Sequence, residues 1–242
     1  GKRALRWGKG YAWSPVGFVE RLKDPNDPEL SREGFVLLAG SVTRSLDGPL
    51  KTVSFTPLVV PTTDRINEDF GPGDHANPAA RLSLLYYDTD IDFLVLGEGA
   101  RSARYGIDFA RNLTTNFEIH GEWARITDAT KPVLNASGVV TTQASDATSY
   151  LVGMRHLSAH DTTTILEYYY NGAGYTEQEM RDYFTFVHNA YAQFLATDDS
   201  TLLERARSVQ SSYLRPTTMR RYLYLRVSQK EPFDILYFTP AL

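Results

Sequence analysis

The feature that most constrains this chain is a series of short segments in which apolar and polar residues strictly alternate. The clearest runs from Phe117 to Trp123. Phe117, Ile119 and Trp123 fall on one side; Glu118, His120 and Glu122 fall on the other. Successive side chains of a strand point to opposite faces, so this segment belongs to a two-faced sheet. The pattern recurs. Tyr105, Ile107 and Phe109 oppose Arg104, Gly106 and Asp108; Leu166, Tyr168 and Tyr170 oppose Ile165, Glu167 and Tyr169. Leu223, Leu225 and Val227 oppose Tyr222, Tyr224 and Arg226. In a soluble protein the apolar side of such a sheet covers a core. In an outer-membrane barrel it meets lipid, and the charged side lines a lumen.

Composition narrows the choice. A chain of 242 residues is long enough for a large core or one large barrel. Its 15 tyrosines suit the aromatic girdles of a membrane interface, since the ring is apolar and the hydroxyl seeks water. Soluble β-rich domains also favour tyrosine, so this alone does not decide. The absence of cysteine excludes disulfides and Cys-based zinc sites. The net charge is −4 and no basic patch is interleaved with aromatics, which argues against a nucleic-acid partner. No stretch of about 18 apolar residues is available for a transmembrane helix, but barrel strands need only about 9–11. The opening Gly1-Lys2-Arg3 carries neither Met nor a signal peptide, so the chain is expected to begin inside a larger protein.

Along the chain, 4–13 reads as a strand interrupted by Gly8 and Gly10, and 14–33 as a loop rich in Pro and Asp. A hairpin is expected from Gly34 to Val60, turning at Asp47-Gly48. A polar loop follows from Pro61 to Pro78. Strands are then predicted at 81–88, 91–97, 103–112 and 115–126, with a Ser/Thr/Ala-rich loop at 127–147. A further hairpin comprises 148–157 and 162–170. The period then changes. Met180, Phe184, Val187, Tyr191 and Phe194 recur at helical spacing, and Thr176 with Glu179 forms a capping box. A short helix at 201–210 completes a helical insertion spanning 176–210. Strands return at 219–228 and 233–239. That makes about eleven strands, an odd number, with abrupt ends; missing strands, and hence an incomplete barrel, are the expectation.

Trp7-Gly8-Lys9-Gly10-Tyr11-Ala12-Trp13-Ser14-Pro15, followed by Lys23-Asp24-Pro25-Asn26-Asp27-Pro28, resembles a segment of bacterial outer-membrane proteins of the alginate-export porin type and their poorly characterised relatives. The stretch Gln229 to Pro240 is similar to late strands of the same relatives. Together these motifs cover about a tenth of the chain. The resemblance implies an outer-membrane β-barrel. It does not imply alginate as substrate, because no basic ring for a polyuronate is evident.

Several patterns could carry chemistry. Gly8-Lys9-Gly10 lacks the rest of a phosphate loop and reads instead as close packing. Asp88-Thr89-Asp90-Ile91-Asp92 starts like a calcium loop, but Phe93 stands where Gly is required, so a tight turn is the better reading. His156, Ser158, His160 and Asp161 gather hydrolase residue types in a hairpin without a nucleophile motif. Arg104, Asp108, Glu118, His120, Glu122, Glu167 and Arg226 are expected to line a pore.

The whole of 1–242 is therefore read as a single antiparallel transmembrane β-barrel domain, incomplete, with a helical insertion at 176–210. The expected role is an outer-membrane channel for small hydrophilic or anionic solutes. It is not an enzyme and has no cofactor or metal; its partners are outer-membrane lipid and the solute. The solute and the oligomeric state are not set by the sequence. The competing readings are a soluble or surface β-sheet module that binds carbohydrate or mediates adhesion, and an outer-membrane hydrolase. The helical insertion is expected to pack over or into the barrel mouth, or else to dock a partner.

Overall fold

The computed structural model describes residues 2–21 and 33–230. Among them antiparallel sheet dominates, with two helices inserted between the last two strands. β1 (Lys2–Arg3) pairs with β2 (Phe35–Val36) apart from the main sheet. The main sheet holds β3 (Leu38–Ala39), β4 (Val42–Ser45), β5 (Leu50–Thr62), β6 (His75–Tyr86), β7 (Thr89–Leu96) and β8 (Arg104–Thr114). It continues with β9 (Phe117–Leu134), β10 (Val140–Leu157), β11 (Thr162–Tyr170) and β12 (Arg221–Gln229). From β5 to β12 each strand pairs with the next in sequence, an up-and-down meander, while β3 and β4 both pair with β5. Among the described residues this sheet is not closed.

The turns follow from local chemistry. Gly48, at φ +104°, lies in the Asp47-Gly48 turn between β4 and β5. Tyr87 and Asp88 both take positive φ in a two-residue turn, which sets Tyr86 opposite Thr89. Asp88 therefore belongs to a hairpin turn, and Asp90 and Asp92 lie on β7. Ser158 Oγ accepts from the amides of His160 and Thr162, so that hydroxyl supports the turn between β10 and β11.

Three expectations need correction. Residues 4–13 form no strand: the whole of 4–21 is free of regular secondary structure. The expected loop at 127–147 is largely strand, because β9 and β10 continue as a hairpin well beyond their neighbours. β6 begins at His75, inside the expected polar loop. The strand expected at 233–239 lies outside the described residues, as does the 23–28 part of the resemblance.

Register makes the two faces explicit. On the outer face Phe55, Leu82, Phe93, Ile107, Trp123, Tyr150 and Tyr170 are consecutive direct partners across seven strands, β5 to β11. An adjoining row on the same face runs Val53, Leu84, Ile91, Phe109, Gly121, Val152, Tyr168 and Leu223. Phe55, Phe93, Ile107, Phe109, Val152 and Leu223 are all solvent-exposed in the isolated chain. A groove of about 470 Å³ opens between the side chains of Phe55, Leu82, Phe93, Tyr105, Ile107 and Trp123. The intervening inner row reads Ser54, Ser83, Asp92, Asp108, Glu122, Leu151, Tyr169 and Tyr222. The outer face is therefore apolar and exposed, while the inner face carries the carboxylates together with buried apolar residues such as Leu94, Leu96 and Leu151.

The helical insertion comprises α1 (Glu177–Thr197) and α2 (Thr201–Tyr213). The capping box starts α1: Thr176 Oγ1 accepts from Glu179 N–H, and Glu179 accepts from Thr176 N–H. The buried face is Tyr183, Phe186 and Ala190; of the expected stripe Met180 and Val187 pack against it, while Phe184 and Tyr191 are exposed. Both sides of α1 carry large apolar residues, so spacing alone places the face only in part. The helices pack on the extended end of β9, where Val133 and Leu134 join Tyr175, Tyr183, Phe186, Val209 and Tyr213 in one cluster. Tyr213 Oη accepts from Leu134 N–H at 2.8 Å, and Tyr175 donates to Pro132 O at 2.6 Å. Lys131 Nζ lies 2.8 Å from Glu179. Burial alone would raise the Glu179 pKa, but Lys131 and the Thr176 donors outweigh it and hold the carboxyl below its ordinary value.

Candidate functional site

The inner face is occupied by the chain's own segment 4–21. Its Trp7, Val16, Phe18 and Val19 fill an apolar cluster with Phe35, Leu58, Val60, Phe70, Leu94 and Leu96. Trp13 lies farther along the sheet, stacked 5.7 Å from Tyr169 and packed against Tyr222 and Tyr224. These two apolar anchors fix the segment at separate points. Between them its backbone crosses the row of acids.

A segment outside any ladder must satisfy its amides some other way. Here carboxylates accept them. Glu122 Oε1 accepts from Gly10 N–H at 2.6 Å; Glu122 Oε2 accepts from Ser14 Oγ at 3.0 Å and from Val16 N–H at 3.3 Å. Glu167 accepts from the amides of Tyr11 and Ala12, the latter at 2.8 Å. Glu20, within the segment itself, accepts from Trp7 and Gly8. A Cβ on Gly8 would lie 1.8 Å from Ser14 Oγ and 2.5 Å from Glu122 Oε1, so only glycine permits this approach.

The charges match as well. Asp92, Asp108 and Glu122 are direct cross-strand partners on β7, β8 and β9. Lys9 reaches into this trio, 3.0 Å from Asp92 and 3.8 Å from Asp108. Three buried carboxyl groups side by side repel one another; Lys9 and the amide donors to Glu122 offset part of this, and both Asp108 oxygens are buried without a hydrogen bond. Beside them His120 Nε2 lies 3.0 Å from Glu167, across the intervening strand β10. Gly153 of β10 leaves the gap that pair needs: a Cβ there would sit 2.2 Å from His120 Nε2. Tyr11 packs edge-on to His120, and its hydroxyl bonds Glu118 and Arg155.

All seven residues expected to line a pore point to the inner face. Asp108, His120, Glu122 and Glu167 are buried, beneath the segment or against one another. Glu118 is partly exposed and pairs with Arg155 at 3.8 Å. Arg226 is exposed and bonds Ser228. Arg104 lies apart from the acids, at the start of β8. Sequence reasoning missed Asp92, Tyr11, Trp13 and the role of Lys9. The available signal was the surplus of inward acids, which calls for donors from outside the sheet. No group of acids and histidines able to hold a metal is found among the described residues.

No family model matches the chain, and neither a curated protein nor a solved structure matches it.

Proposed function

We propose that this chain is the wall of an outer-membrane β-barrel channel for small hydrophilic or anionic solutes, with segment 4–21 narrowing its lumen. The observation that carries this reading is the exposed apolar band of the outer face, seven strands wide, set against the inward Asp92, Asp108, Glu122, His120 and Glu167. A contiguous apolar band of this kind marks contact with another apolar phase, and water-soluble monomers rarely expose one. The meander of neighbouring antiparallel strands is the connectivity of such barrels. The resemblance of Trp7 to Pro15 to alginate-export-type porins agrees with it.

The test is conduction. Reconstituted in planar bilayers, the protein is expected to give discrete current steps. Glu118 is the partly exposed acid of the inner face, so Glu118→Gln is expected to shift the reversal potential toward anions. A protein that stays in the aqueous phase without detergent and passes no current would contradict the reading. An unchanged reversal potential in Glu118→Gln would remove Glu118 from the conduction path.

A further inference from the structure

Next to the acid row on the inner face, bordered by Ser14 and Tyr169, lies a cavity of about 570 Å³. The segment from Ser14 to Glu20 walls one side. The loop before β8, the inner ends of β9 and β10, and the strap at 215–217 after α2 complete it. The volume is within the ordinary range of small-molecule sites. Its electrostatics are opposite to those of the acid row. Arg101, Arg104 and Arg215 line it, and Glu20 is its one carboxylate among the described residues. Glu20 is already engaged by the amides of Trp7 and Gly8.

The three arginines are not equivalent. Arg101 is committed to the fold: it donates to Phe70 O and Phe18 O and lies 3.9 Å over the Phe70 ring. Burial, with the nearby Arg104 cation adding to it, pushes Arg101 down to about 9. Arg104 has no hydrogen bond or ion pair from its side chain among the described residues, and its Nε is buried without a partner. Arg215 donates one bond, to Ala173 O, and its Nε is likewise buried and unpartnered. A buried guanidinium nitrogen without an acceptor is costly, and folded proteins nearly always pair such atoms. Two partly exposed guanidinium groups, each with such an Nε, face one cavity and suit an anion. The other polar groups of the lining are hydroxyl and amide, among them Ser102, Thr130, Ser149, Asn171 and Thr217, and the remainder is apolar, with Phe18, Phe70 and Ile126.

We propose that this cavity binds a small hydroxylated oxyanion, a sugar phosphate or sugar acid, through Arg104 and Arg215. A guanidinium offers a planar fork that matches phosphate or carboxylate oxygens in pairs. The hydroxyl and amide lining suits the alcohols of a monosaccharide. The proposal deepens the channel reading by naming a solute class, and rests on that reading for its physiological meaning.

The experiment is calorimetric titration of the whole chain in detergent with four probes: glucose 6-phosphate, gluconate, glucose and inorganic phosphate. The two sugar anions are expected to bind, glucose at least 100-fold more weakly, and inorganic phosphate more weakly than glucose 6-phosphate. Arg104→Gln and Arg215→Gln are each expected to weaken glucose 6-phosphate at least tenfold. Arg226→Gln, on the inner face but outside the cavity, should leave it unchanged. Arg104→Met separates binding from folding: it removes a charge whose buried Nε has no acceptor, so it should retain or raise the unfolding temperature while losing the ligand. Failure of both sugar anions to bind, equal binding of glucose, or wild-type affinity in both Gln variants would overturn the proposal. Inorganic phosphate binding as tightly as glucose 6-phosphate would overturn the hydroxylated class. Binding in micelles does not require conduction. A protein that binds but does not conduct thus contradicts the channel reading alone, and one that conducts but does not bind contradicts this site alone.

Discussion

Glu122→Ala is expected to free segment 4–21 from the sheet and to destabilise the protein by about 3–5 kcal/mol, because one buried acceptor serves several donors. Glu122 is 4% exposed and holds three donors of the segment, Gly10 N–H, Ser14 Oγ and Val16 N–H. Each buried donor left without an acceptor costs about 1–3 kcal/mol. Removing the charge also relieves repulsion from Asp108, its direct neighbour on β8. Lys9, close to Asp92 and Asp108, already moderates that repulsion, so the lost acceptors outweigh the gain. Glu122→Gln is a sharp companion test. Both Glu122 oxygens accept, so whichever way the amide turns, its NH₂ faces a donor. The readouts are the denaturation midpoint and tryptic cleavage after Lys9 and Arg21. Unchanged cleavage with a stability loss under about 0.5 kcal/mol would mean that Glu122 does not anchor the segment.

Ile107→Lys is the second large effect, and its sign depends on what the outer face meets. Ile107 sits between Phe93 and Trp123 in the outer apolar row and lines the groove of about 470 Å³. Facing lipid near the midplane, lysine there costs about 2–4 kcal/mol. Facing water, a surface substitution stays within about ±0.5 kcal/mol and favours solubility. Equilibrium unfolding from lipid vesicles distinguishes the two. A loss of about 2 kcal/mol or more supports the lipid-facing reading; a neutral or stabilising result contradicts it.

The parts of this fold that were legible in the sequence are those where one residue decides its own environment. β11 was expected at 162–170 and is found at Thr162–Tyr170, because alternation and its turn both mark it. The capping box at Thr176 and Glu179 involves residues only three apart. The parts that were not legible depend on distant partners. The Trp7 to Trp13 stretch has strand-like composition, yet the amides of Gly10, Tyr11 and Ala12 are taken by Glu122 and Glu167, more than a hundred residues away. Residues 127–134 and 140–147 lack an apolar face of sheet type, yet they remain strand because each pairs with the other and the helices cover one end. Inward acids could be read from alternation. That the chain's own backbone would lie against them could not, since a list of alternating residues does not say what fills the concave side. Gly153 shows the same limit. In sequence it is one glycine in a strand, and its reason is the His120–Glu167 pair that closes over it.

The inner face of this sheet holds the segment, and the outer face is proposed to lie in lipid. The three tryptophans report on both. Trp123 is on the outer face and 36% exposed, whereas Trp7 and Trp13, at 1% and 7%, are enclosed on the inner face. Single-tryptophan variants made with Phe at the other two positions can be reconstituted in vesicles of phospholipid brominated on the acyl chains. The expected result is strong quenching of Trp123 by the brominated chains, weak quenching of Trp7 and Trp13, and little access of aqueous iodide to any of the three. Iodide quenching of Trp123 with no effect of the brominated chains would contradict it, and would make the sheet a water-exposed surface.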